Sequence, residues 1–201
     1  MGGLHFNAAG RPLGYNRLSR SCMEVPVAAR RKGAARAAFK LTSPDIRPNG
    51  PIAMEQVYNG FGCSGQNVSP ALKWSGAPEA TKSFALLVHD PDAPTGGAGW
   101  WHWLVVNIPA SAGELGKKAG KADGSNLPFG CAQIDTDFGG PGWGGPCPPA
   151  GDKPHRYNFT LYALKVDSLD VGGASASLAG YMINANAIGR ARLTGKFGRK
   201  K

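Results

Sequence analysis

Acidic residues and cysteines are scarce in this 201-residue chain, with 13 aspartates and glutamates against 23 lysines and arginines, and four cysteines in all. No stretch approaches the roughly 18 apolar residues of a membrane-spanning helix. The N-terminus also lacks a continuous apolar segment of signal-peptide length, because Arg, Pro and Gly interrupt it. A cytoplasmic location is therefore the default expectation. Cys22, Cys63, Cys131 and Cys147 form no CxxC pair and no metal-like spacing. They leave room for a disulfide, but four cysteines allow three full pairings and the sequence does not choose among them.

The shortage of acid is local. Residues 1–40 carry eight bases against Glu24 alone, a charge of +7, and residues 190–201 carry six bases and no acid, a charge of +6. Residues 41–189 then hold nine bases and twelve acids, or −3, within the total of +10. The positive charge belongs to the ends, so a groove tracking a nucleic-acid backbone is not expected. Residues 1–38 show neither helical nor strand periodicity and read as a disordered basic extension. An inert tail or upstream start, an organelle-targeting segment and a functional basic arm all fit it.

What is abundant is turn chemistry: 30 glycines and 16 prolines, placed between short apolar runs rather than in repeats. Residues 39–43 and 52–57 read as short strands, and residues 69–74 as an extended segment. Residues 83–89 and 103–108 are continuous apolar runs of the kind buried on both sheet faces. Residues 157–166 alternate, with Tyr157, Phe159, Leu161 and Ala163 on one face and Asn158, Thr160 and Tyr162 on the other. The spacing of Leu178, Tyr181 and Met182 predicts one helix over residues 174–188, ended by Gly189, with a last short strand over 190–197. The expected fold class is mainly β: two antiparallel sheets in a Greek-key sandwich, with a C-terminal helix and long Gly/Pro-rich loops. The domain is expected to span residues 39–199. Residues 109–149 show little pattern, and loops of that length are usually functional or disordered.

Three clusters beside the predicted strands carry chemistry. In Asp90-Pro91-Asp92-Ala93-Pro94, prolines fix the backbone where a strand ends, so both carboxylates are held in place. A plain Asp-Pro turn is the competing reading. His102 sits among Trp100, Trp101 and Trp103, rigid rings suited to a pocket wall. A core histidine bonded to a carbonyl or carboxylate is its alternative. The third cluster runs from Gly144 through Cys147, Pro148 and Pro149 to His155, Arg156 and Tyr157. In a strand, His155 and Tyr157 share a side and Arg156 faces away. An imidazole and a phenol beside a concave loop suit an oxyanion such as phosphate. Arg156 serves either the ligand or an ion pair with Asp90 or Asp92.

These three motifs, with Asn67–Trp74 and the terminal Leu193-Thr-Gly-Lys-Phe, resemble the motif series of the phosphatidylethanolamine-binding protein family, in its bacterial-type Raf-kinase-inhibitor-like branch. The similarity runs from about Phe39 to Arg199 with order and spacing kept. It implies a sandwich of two antiparallel sheets with a pocket at one end that binds phosphorylated head groups, phosphate-like anions or acetate. By resemblance, the pocket residues are Asp90, Asp92, Pro94, His102, Cys147, Pro148, Pro149, His155 and Tyr157, with Arg156 structural or ligand-binding. Animal members carry glycine where Cys147 stands, and a second histidine where this chain has Trp101.

The function expected is a non-catalytic binding protein for a phosphorylated or anionic ligand, one that resembles kinase or protease regulators. No cofactor is expected. The partners expected are that small ligand, an unidentified protein target, peripheral membrane contact through the basic ends, and a homodimer. Within the pocket, an Asp is expected to fix a histidine tautomer and to raise the histidine pKa, so that binding strengthens as pH falls. The second reading is a metal-dependent phosphohydrolase using Asp90, Asp92, His102 and His155 as ligands for Zn²⁺ or Mn²⁺. A serine hydrolase is not expected, because Ser64 and Ser69 lack a nucleophile-elbow context.

Overall fold

A computed structural model describes residues 37–201. The basic extension expected over residues 1–38, with Cys22, lies outside the described residues apart from Ala37 and Ala38. The strands are β1 (Lys40–Thr42), β2 (Asn59–Gly60), β3 (Cys63–Ser64), β4 (Leu72–Ser75), β5 (Ser83–Asp90), β6 (Trp100–Pro109), β7 (Glu114–Leu115), β8 (Ala132–Gln133) and β9 (His155–Leu164); β1, β4, β5, β6 and β9 fall where the sequence pattern predicts strands, and the two-residue β2, β3, β7 and β8 carry no such pattern. Helix α1 (Ala176–Asn186) and β10 (Ala187–Phe197) close the chain.

The larger sheet has the order β10-β9-β5-β6-β8 and the smaller one β1-β4-β7, both antiparallel. In the larger sheet, β9 returns to lie beside β5 rather than beside β8. That places four successive strands in the order 4-1-2-3 of a Greek key. The expected alternation of β9 decides the layers. Tyr157, Phe159, Leu161 and Ala163 pack with Phe84, Leu86, Val88 and Trp103 against Leu41, Leu72, Trp74 and Leu115 of the small sheet. Tyr162 faces the opposite side, where Leu87, Leu104 and Val106 lie under α1. Each large side chain so enclosed contributes on the order of 2 kcal/mol through removal of apolar surface from water.

Three local expectations fail. Residues 52–57 form no strand: the neighbouring backbone at Asn49, Gly50 and Ile52 is taken by β10, and the chain then turns with Gln56 N–H donating to the Ala53 carbonyl. Leu178 and Tyr181 are exposed, and α1 instead seats Ala176, Ala179, Gly180 and Ile183 on the sheet, since small residues let its backbone approach closely. Nor does Gly189 end the helix. Ser175 caps its start, accepting from Leu178 N–H at 3.2 Å, and β10 begins directly at Ala187. Gly189 lies opposite Ala163 in that strand, where a Cβ would meet Pro78 Cγ at 2.8 Å.

Candidate functional site

At one end of the larger sheet the three sequence clusters converge on a cavity of about 310 Å³. Its lining includes Asp90, Pro94, His102, Cys147, Pro148, Pro149, His155 and Tyr157, all expected from the sequence. Asp92 and Arg156 do not line it. They face a shallower recess beside it, with Asp152, Lys153 and Lys196.

Asp90 ends β5, and its side chain is almost wholly buried. One carboxylate oxygen accepts from the Asp92 N–H at 2.8 Å, closing the Asp-Pro-Asp turn, and the other accepts from His155 Nδ1 at 2.8 Å. Asp90 therefore orients His155, as the expectation of an Asp-held imidazole has it. The far nitrogen, Nε2, lies 3.6 Å from the Asp152 carboxylate, too long for a good hydrogen bond.

Asp92 has a different partner. Both its oxygens take the guanidinium of Arg156 in a fork, and one also accepts the Arg156 backbone N–H at 2.8 Å. That hydrogen bonding, ahead of the guanidinium's charge, holds the Asp92 carboxyl down at about 2. Of the two readings of Arg156, the geometry shows the ion pair.

His102 reaches the cavity through an irregularity in the β5–β6 pairing. Val88 stands opposite Trp103 and His89 opposite Trp101, so His102 is the extra residue of a bulge. The bulge sends Trp101 outward, where its ring lies 4.2 Å from that of His89, and leaves Trp100 and His102 lining the pocket. His102 Nδ1 donates to the Gly144 carbonyl at 2.6 Å. Neither Asp binds it, contrary to one form of the expectation. The rings of Phe138, Tyr157 and Trp143 surround it at 5.3, 5.0 and 6.4 Å. This burial lowers its pKa to about 4, against the opposing pull of the Gly144 carbonyl and of Asp90. The expected upward shift is thus reversed at His102: desolvation outweighs the nearby carboxylate, and the ring is neutral at pH 7.

Tyr157 is fully buried, and its hydroxyl makes no well-formed hydrogen bond to any described residue, although the Asp90 carboxylate lies close enough to attract it. Burial first, then the charge of nearby Asp90, push the phenol far above its ordinary pKa, so it remains a donor.

Phe61, Ala93, Thr95, Trp100 and Phe138 also line the cavity. Trp100 forms wall as its place beside His102 suggests, whereas Phe61, Thr95 and Phe138 were not singled out in the sequence. Phe61 and Phe138 sit in glycine-rich turns that carry no periodic signal. Phe61 occupies the tip of the β2–β3 hairpin with φ 51°, followed by Gly62 at φ 75°, the pair of left-handed residues that a tight hairpin turn demands. Its ring stacks on Phe138, centroids 6.0 Å apart. Phe138 in turn occupies the space beside Gly144: a Cβ there would meet its ring at 2.2 Å. The hairpin is fastened to the Pro-rich loop by a Cys63–Cys147 disulfide, a pairing the sequence left open. Arg199 reinforces the junction, donating to the carbonyls of Pro148 at 2.7 Å and Gly62 at 2.8 Å. Cys131 is free, and burial raises its thiol pKa to about 11.

Among the described residues, no helix is long and apolar enough to cross a membrane, and no group of three or more His, Cys, Asp or Glu side chains is placed to share a metal ion.

The family model described as phosphatidylethanolamine-binding protein matches residues 42–198. The UPF0098 protein YbcL of Escherichia coli is 53% identical over 162 residues, 80% of this chain and 88% of that protein. Its crystal structure, described as a new member of the mammalian PEBP family, aligns with a TM-score of 0.79 and covers 82% of this chain and 100% of that one. E. coli YbhB is 42% identical over 79% of this chain and 99% of its own length. A putative lipoprotein of Mycobacterium tuberculosis, LppC, is 39% identical over 78% of this chain and 71% of its own. None of these names denotes an enzyme. Fold, motifs and relatives agree, and the chain belongs to the phosphatidylethanolamine-binding protein family.

Proposed function

We propose that the chain is a non-catalytic binding protein whose pocket holds a phosphate-bearing or similar anionic ligand, of which a phosphoethanolamine head group is one example. The observation that carries this reading is the fully buried Tyr157 hydroxyl, a donor that makes no well-formed hydrogen bond to the described residues lining the cavity. A buried donor without an acceptor costs roughly 1–3 kcal/mol, and a ligand oxygen removes that cost. The mouth, formed by Phe61, Trp100, Phe138 and the prolines, suits an apolar group next to the anion. Titration calorimetry with phosphoethanolamine and with phenyl phosphate tests the reading. Binding that Tyr157→Phe weakens at least tenfold supports it, and no binding of either compound by the wild-type protein refutes it.

The phosphohydrolase alternative is the weaker reading. Asp90 is committed to His155 and Asp92 to Arg156, so the two carboxylates of that ligand set are turned to other partners. The compartment is better read from the disulfide than from the apolar profile. Cys63–Cys147 favours an oxidising environment over the cytoplasm, and non-reducing mass spectrometry of protein from its native host tests this. A regulatory protein target fits the same pocket if it presents a phosphorylated side chain; pull-downs competed by phenyl phosphate would reveal it.

A further inference from the structure

The polar groups at the floor of the cavity are mostly acceptors. The Gly144 carbonyl can only accept, so the proton of the neutral His102 ring sits on Nδ1. Nε2 then carries a lone pair, and it makes no hydrogen bond to any described residue. Asp90 beside it offers carboxylate oxygens that already accept from the Asp92 N–H and from His155. Among the described residues, the buried donor left without a well-formed hydrogen bond there is the Tyr157 hydroxyl. A fully deprotonated oxyanion gains from Tyr157 but meets the lone pair of His102 and the charge of Asp90. A ligand that brings both an oxygen acceptor and a proton satisfies the whole set.

We propose that the pocket selects the protonated form of its ligand: a phosphate monoester binds as the monoanion, with its P–OH donating to His102 Nε2 and an unprotonated oxygen accepting from Tyr157. This rests on the anion-binding reading and adds the ionic state that the site takes. No proton need move to the protein. The charged and titratable groups around His102 are Asp90 and His89 from β5, His155 and Tyr157 from β9, and Asp137 from the loop carrying Phe138. Asp92 is neutralised by Arg156 in the neighbouring recess.

The second pKa of a phosphate monoester lies near ~6. Affinity for methyl phosphate should therefore be level below about pH 6 and fall about tenfold per pH unit above it, as the monoanion is depleted. A titrating group of the protein would imitate this profile, so the decisive measurement uses several phosphorus ligands. Across methyl phosphate, methylphosphonate and trifluoromethylphosphonate, the midpoint of the affinity-against-pH curve should follow each ligand's own second pKa. Methyl sulfate, which has no proton to donate, should bind at least tenfold more weakly than methyl phosphate at pH 5.5. His102→Asn, which keeps an amide N–H for Gly144 and leaves no acceptor at the position of Nε2, should abolish that discrimination while circular dichroism shows an intact fold. A midpoint common to all three phosphorus ligands, affinity that is flat or rises with pH, or methyl sulfate binding as tightly as methyl phosphate would each overturn the proposal and leave the anion site standing. Failure of every phosphorus ligand to bind would overturn both.

Discussion

Acid should destabilise this domain through one identifiable side chain. His102 has an ordinary pKa of 6.5 when exposed and about 4 in the folded protein, because burial against Phe138, Trp143 and Tyr157 opposes its charged form. Between these values the unfolded chain holds a proton that the folded one does not, so stability falls as pH drops through 6.5 and levels off near 4. The fall from 6.5 to about 4 is worth about 3.5 kcal/mol in full, and about 3 kcal/mol of it is lost by pH 4, where the folded ring is half protonated. Other groups titrate in the same window, so the perturbation is pH in wild type and His102→Asn together, read by urea unfolding at pH 7, 6, 5 and 4. The wild type should lose about 3 kcal/mol more than the variant over that range. Equal losses in the two proteins would show that the histidine is not held neutral by burial, and would remove the basis for an acceptor at the pocket floor.

Three further outcomes follow from the same geometry. Replacing Cys63 and Cys147 together by serine, or adding dithiothreitol, should lower the unfolding free energy by about 4 kcal/mol, since the bond spans a separation of 84 residues; an unchanged melting temperature would contradict this. Phe61→Ala should change stability by less than about 0.5 kcal/mol, because the ring is 68% exposed, yet weaken phenyl phosphate several-fold relative to methyl phosphate in calorimetry. Gly144→Ala should push the Phe138 ring aside and cost roughly 1–3 kcal/mol in thermal denaturation, with a matching loss of phenyl phosphate affinity.

Sequence pattern located the long strands and most of the pocket for a physical reason. The carboxylates and histidines lie at the ends of β5, β6 and β9, where apolar runs stop and prolines fix the backbone, and such boundaries are local signals. The bulge that turns His102 inward is set by pairing across β5 and β6, so simple alternation does not foretell it. The reversed pKa shift has the same origin, because it depends on Phe138 and Trp143, rings supplied by a loop with no periodicity. The division of labour between Asp90 and Asp92 was equally hidden. Both belong to the same proline-fixed turn, and only the packing of β9 assigns His155 to one and Arg156 to the other.

The clasp at the mouth of the cavity also divides the site along the chain. Asp90, Trp100, His102 and Phe138 lie within the closed loop between Cys63 and Cys147, whereas His155 and Tyr157 follow shortly after it. A chain that unfolds with the bond intact therefore keeps the two halves of its pocket near each other, and His155 has only a short tether to search before it meets Asp90 again. In that sense the covalent link preserves the address of the site even when the sheets that display it have come apart.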